Sequence, residues 1–220
     1  TNRLSSAVSL LEEMRKVGLK PELLSYITAI RACAGLGESE LAVSLLEDMS
    51  AAGVKRDRTV YAGAITACCA SGDLKKATSL LEGMLAEGIP ADIIASNVLM
   101  RAYAEAGLWE EAVSALGLLR GAPASPAPTA DCFGSAVAAC AAAGRSVEAL
   151  SLLLEMLEAG LSPGASSFSA VVKAYGWGDE HASVKFSDIE HASVRFSDGD
   201  SDRGRALDRR RADVGEEVER

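Results

Sequence analysis

A step of 35 residues recurs along this chain and constrains its fold more than any single motif does. Tyr26 and Tyr61 are 35 apart, as are Gly37, Gly72 and Gly107, and the series Ala7, Ala42, Ala77 and Ala112. Met14, Met49 and Met84 keep the step, and so do Leu10-Leu11-Glu12, Leu45-Leu46-Glu47 and Leu80-Leu81-Glu82. The register then slips by two residues and resumes. Gly144, Ala149 and Met156 lie 37 beyond Gly107, Ala112 and Leu119, and Phe168 lies 35 after Phe133. A fixed period of roughly 20 to 50 residues marks a stack of supersecondary units, so function belongs on a shared surface rather than in a closed pocket.

One unit, 23–57, shows what is repeated. Tyr26, Ala29, Ile30 and Cys33 stand at helical spacings and make one apolar face. Gly37 supplies the left-handed C-cap that ends a first helix. Glu38-Ser39-Glu40 place acids at the start of a second helix, where the dipole favours them. Leu41, Ala42, Leu45 and Met49 form a second stripe, and Gly53 turns the chain back. The unit is a helical hairpin with two sticky faces that only neighbouring units can cover.

This reading divides the chain into a partial unit at 1–22, full units at 23–57, 58–92, 93–129 and 130–164, and a lone first helix at 165–175. The third unit replaces the Leu-Leu-Glu-x-Met run with Leu116-Gly117-Leu118-Leu119 and ends in a connection carrying Pro123, Pro126 and Pro128, each of which breaks a helix. That connection holds the two extra residues. Composition changes after Tyr175: residues 176–220 contain two near-identical decapeptides, from Glu180 and Glu190, and read as a disordered acidic tail. Because Thr1 opens the chain midway through a unit, the sequence reads as an internal piece of a longer protein, with any targeting peptide upstream.

Residues 1–175 carry 14 Lys and Arg against 19 Asp and Glu, and the net charge of all 220 residues is −9. That balance disfavours sequence-independent coating of nucleic acid, which needs many cations. Cys33, Cys68 and Cys140 fall at one phase, shared with Tyr103 and Tyr175, and so read as half-buried packing residues rather than disulfide partners. Reduced thiols fit an intracellular or organelle-interior setting. No apolar run is long enough to span a membrane.

With these residues in place, the chain resembles the pentatricopeptide repeat family. Its 35-residue unit has a Tyr early in the first helix, a central Gly, an Ala-Leu-x-Leu-x-x-Glu-Met run and a closing Gly-x-x-Pro-Asp. The last appears here as Gly18-Leu19-Lys20-Pro21-Glu22, Gly53-Val54-Lys55-Arg56-Asp57 and Gly88-Ile89-Pro90-Ala91-Asp92. The tetratricopeptide repeat, with a period of about 34 and a Trp-Leu-Gly-Tyr signature, does not fit, and Trp109, in the second helix of one unit alone, reads as core. The resemblance implies an all-α, right-handed α-solenoid. It also implies binding of single-stranded RNA along the concave face, about one base per unit, in a mitochondrion or plastid.

Carried over by phase, the implied base-reading pairs are Ile27 with Asp57, Ala62 with Asp92, Asn97 with Thr129, and Gly134 with Gly164. Leu24, Thr59, Ile94 and Asp131 would pack on the bases, and the broken fifth unit begins with Ser166 and Ser169. Ile27, Ala62 and Gly134 offer no side-chain hydrogen bond, which leaves Asn97 as the polar reader, with a pyrimidine as its base. Asp57 and Asp92 fit helix N-caps equally well. A base contact discriminates by roughly 1–3 kcal/mol, so four units with one polar reader imply weak or tolerant binding.

Two other classes follow from the same residues. Apolar reading positions on an acidic chain would suit a protein-interaction scaffold. An enzyme is the weakest fit: His181 and His191, the two histidines, lie in the decapeptides. No His-x-Glu with a Cys-x-x-Cys marks a zinc deaminase, Gly176-Trp177-Gly178 lacks the lysine of a phosphate loop, and Cys68-Cys69 point to different helix faces. No cofactor, metal or catalytic residue is expected.

Overall fold

A computed structural model describes residues 9–175, save Glu12, Arg15 and Pro123. The decapeptides and the tail reading of 176–220 lie outside the described residues, as do 1–8. Helical residues between Ser9 and Lys16 precede nine further helices among the described residues. First helices are α1 (Leu23–Leu36), α3 (Arg58–Ser71), α5 (Ile93–Ala106), α7 (Ala130–Ala142) and α9 (Ala165–Ala174). Second helices are α2 (Ser39–Ala51), α4 (Leu74–Ala86), α6 (Trp109–Gly121) and α8 (Ser146–Glu158).

Local chemistry sets these boundaries. Gly37 takes φ 70° and lets Glu38 N–H donate to the Cys33 carbonyl at 3.1 Å, the six-to-one closure of a Schellman cap. The same bond recurs from Asp73 to Cys68, Leu108 to Tyr103 and Arg145 to Cys140. Second helices close alike, with Val54 N–H on Met49, Ile89 on Met84 and Leu161 on Met156, each at 3.0 Å. The third unit breaks this rule. After Gly121 the backbone of Ala122 is extended, with no left-handed glycine, and the Pro-rich connection follows. Ala91 N–H donates to Ser125 Oγ at 2.9 Å and ties that connection to the preceding turn.

First helices pack on first helices along the stack, α1 on α3, α3 on α5, α5 on α7 and α7 on α9. Each second helix packs on its own first helix and on the next one, and no comparable packing joins successive second helices among the described residues. The result is an α-solenoid with two layers, the first-helix layer being the tighter. Its core repeats with the period: Met49, Met84, Leu119 and Met156 are all buried. Burying such a side chain contributes about 1.5–3 kcal/mol. Ala42, Ala77, Ala112 and Ala149 are buried too, and their small size lets paired helices approach.

Two expectations change. Cys33, Cys68 and Cys140 are 0% exposed rather than half-buried, because the last turn of each first helix is covered from both its own second helix and the adjacent unit. Trp109 is half-buried rather than core: it opens α6, and the Arg145 guanidinium lies 4.5 Å from its ring centroid. All five cysteines are free. No described helix is long and apolar enough to cross a membrane.

Candidate nucleic-acid interface

The first-helix layer presents one equivalent row of positions after another. Leu24, Thr59, Ile94 and Asp131 are all exposed, and Ile27, Ala62, Asn97 and Gly134 are all half-buried. Leu24 and Ile94 are 71% and 74% exposed, a poor place for large apolar groups unless a flat apolar surface covers them. Two contacts give Asn97 and Gly134 the same orientation toward the next unit. Asn97 reaches Cys132, and a Cβ at Gly134 would stand 3.2 Å from Ser167 Oγ. Cys132 and Ser167 are the matching residue of the next first helix in each case.

The second reading positions are all N-caps of the next first helix. Asp57 Oδ1 accepts from Val60 N–H at 3.0 Å. Asp92 Oδ1 accepts from Ile94 and Ala95 N–H at 2.9 and 3.1 Å, while its Oδ2 lies 3.9 Å from Arg58 Nε. Thr129 Oγ1 accepts from Cys132 N–H at 3.3 Å, and Gly164 caps α9 without a side chain. Capping is therefore established for the three side chains, and it uses one oxygen of each aspartate.

One pair is joined directly. Thr129 donates its hydroxyl to Asn97 Oδ1 at 2.8 Å, and Cys132 Sγ donates to the same oxygen at 2.9 Å. The Pro-rich connection thus delivers Thr129 to Asn97 despite its extra length. With Oδ1 doubly engaged, the Asn97 amide has its two N–H donors left to offer. Burial, ahead of the lowering effect of its bonds to Thr129, pushes the Cys132 thiol up, so it stays a protonated donor. Cys132 was not among the residues singled out from the sequence. Its signal is subtle: it precedes the aromatic phase of the unit after Asn97.

Charge is divided between the layers. The first helices carry Arg31, Arg58, Arg101 and Lys173 against Glu105 and Asp131. The second helices carry three cations, Lys75, Lys76 and Arg120, against nine carboxylates. Two of those three cations are held in ion pairs between units, Lys76 with Glu40 and Arg120 with Glu155. Among the described helices, the acidic excess thus lies in the second-helix layer. An apolar groove of about 610 Å³ between Leu85, Gly117, Leu118 and Ala122 also lies off the reading row. No group of three or more metal-ligating side chains forms among the described residues.

Family models of the pentatricopeptide repeat match residues 24–54, 94–122 and 131–161, and a pentatricopeptide repeat domain model matches 44–106. The chain is a pentatricopeptide repeat protein. Among solved structures, this repeat protein resembles the pentatricopeptide repeat protein PPR10 from maize, with 28% identity and a TM-score of 0.58 over 86% of its length. PPR10 in complex with an 18-nt psaJ RNA element matches at 25% identity and a TM-score of 0.58. The chain spans 27% of the maize protein. The pentatricopeptide repeat domain of Arabidopsis thaliana protein-only RNase P 1, in complex with tRNA, matches at a TM-score of 0.64 and 12% identity, and so speaks to the fold alone. The chain covers 78% of its own length there and 89% of that domain. No curated protein matches the chain in sequence.

Proposed function

We propose that this repeat protein binds single-stranded RNA along the concave side of its first-helix layer, in an organellar transcript-processing, stabilising or translational role. The observation that carries the proposal is the stripe itself: exposed packing positions beside half-buried reading positions, repeated unit by unit on a layer that is relieved of acidic charge. The similar maize protein in complex with an RNA element supports it.

In this reading Leu24, Thr59, Ile94 and Asp131 flank successive bases. Asn97 presents its amide donors to a carbonyl-bearing base edge, for which a pyrimidine oxygen is the fit. Asp57 and Asp92 act first as helix caps, and the second Asp92 oxygen faces Arg58. Ile27, Ala62, Gly134 and Gly164 add surface without hydrogen bonds, so discrimination rests on about one contact of roughly 1–3 kcal/mol. Binding is then sequence-tolerant.

Fluorescence anisotropy of the chain with a labelled unstructured RNA at low salt tests this. Saturable binding to single-stranded RNA that exceeds binding to duplex RNA is expected. Absence of both rejects the proposal and favours a scaffold for protein partners, whose mark would be a stable partner retained after ribonuclease treatment.

A further inference from the structure

Counting along the 35-residue phase from each aromatic position, the residue five places on is Arg31, Thr66, Arg101, Ala138 and Lys173. In three of five first helices that position is a cation. Each lies four residues after the reading position, Ile27, Asn97 and Ser169 respectively. Residues four apart share a helix face, about 6 Å along the axis. The cations therefore form a second row, parallel to the reading row and one helical turn from it, on the same layer.

These side chains are free to act. Arg31, Arg101 and Lys173 are all exposed. No ion pair engages Arg31 or Lys173 among the described residues. Arg101 has a loose surface pair with Glu105, at 3.8 Å and with both side chains more than two-thirds exposed. By contrast Arg56, in the turn before α3, Lys76 and Arg120 on second helices, and Arg145 at the start of α8 are each paired to a carboxylate at hydrogen-bond distance. A cation left unpaired beside a stripe of base-sized, half-buried positions is placed to meet what a base always carries with it, its phosphate.

We propose that Arg31, Arg101 and Lys173 form a phosphate track for the backbone of a bound single strand, touching the first, third and fifth units and skipping the second and fourth. This rests on the RNA-binding reading above. At one base per unit, the track neutralises alternate phosphates. The uncharged Thr66, whose hydroxyl donates to the Ala62 carbonyl, and Ala138 occupy the positions between. The contacts are electrostatic and independent of base identity, so they supply the affinity that the weak reading row lacks. Glu105 sits one turn beyond Arg101 and competes with the phosphate for it.

The test is the salt dependence of affinity for a labelled oligouridylate and a mixed-sequence RNA of equal length. For a single strand, log Kd against log salt changes by about 0.7 for each phosphate contact. Arg31→Gln, Arg101→Gln and Lys173→Gln should each lower the slope by about 0.7, and the triple variant by about 2. The loss should be equal on both RNAs, and Glu105→Gln should tighten binding. Lys75→Gln, an exposed cation of the second-helix layer, should leave the slope unchanged. Wild-type binding with an unaltered slope in the triple variant would overturn the track while leaving RNA binding in place. So would an equal drop from Lys75→Gln. Failure of the wild-type chain to bind either RNA would instead overturn the reading on which the track rests. Circular dichroism of each variant confirms that these exposed positions leave the fold intact.

Discussion

Asp92 shows how much one side chain can carry at the junction of two units. Its Oδ1 accepts two of the orphan N–H groups that open α5, so its first role is mechanical. Replacing a capping aspartate by Ala costs about 1 kcal/mol, whereas Asn is an equally good cap. Asp92→Ala should therefore lower the urea midpoint, and Asp92→Asn should keep it within a few tenths of a kcal/mol. A loss in both would mean that the carboxylate charge, through Arg58 at 3.9 Å, matters more than the cap. Asn97 is the contrasting case. Nothing local holds it; Thr129 and Cys132, 32 and 35 residues away, set its amide.

At the level of the element, the question is what lets first helices stack so closely. Gly63 answers it for α1 and α3. A Cβ there would stand 2.8 Å from Cγ2 of Ile30, whose side chain is 0% exposed and β-branched, with nowhere to swing. Ala in place of Gly in a helix gains roughly 0.5–1 kcal/mol in backbone terms. Overpacking a tight core costs roughly 1–3 kcal/mol, so the clash should win. Gly63→Ala should unfold at lower urea, and adding Ile30→Val, which removes Cδ1 and leaves Cγ2 at the contact, should not restore it. The cleaner partner is Ile30→Ala: in the double variant the added cost of Gly63→Ala should vanish. Additive costs would show that the close approach is not what Gly63 provides.

Over the whole molecule, stability is a sum of units and of the surfaces between them, and the buried thiols recur in that sum. Burial is the largest cause raising Cys33 and Cys68 to about 11 and Cys69 to about 12, from an ordinary 9.0. Cys140 moves the same way, again chiefly by burial. A folded pKa above the unfolded one means that the folded state favours the proton. Stability from these groups is then complete below pH 9.0 and is lost as pH rises through about 11 to 12. The urea midpoint should thus be flat below that window and fall within it. Replacing Cys33, Cys68 and Cys140 by Ala should flatten the fall, even though the starting stability is lower. An unchanged slope would assign the alkaline loss to tyrosines such as Tyr61, which burial also raises to about 12.

The stack, its hairpins and its caps were legible in the chain because each depends on residues close in sequence. Apolar spacing sets a helix face, glycine permits a left-handed cap, and a period of 35 repeats the result. The phase also shows which positions recur from unit to unit, such as Ile27, Ala62, Asn97 and Gly134. Tertiary structure decided the rest, because it depends on how far one unit is turned and shifted against the next. That geometry closed the shell around Cys33, Cys68 and Cys140 and left Trp109 half-buried under Arg145. It brought Thr129 and Cys132 onto Asn97 across the Pro-rich connection. It also sorted the helical charges into two layers, with nine carboxylates on the second helices and two, Glu105 and Asp131, on the first.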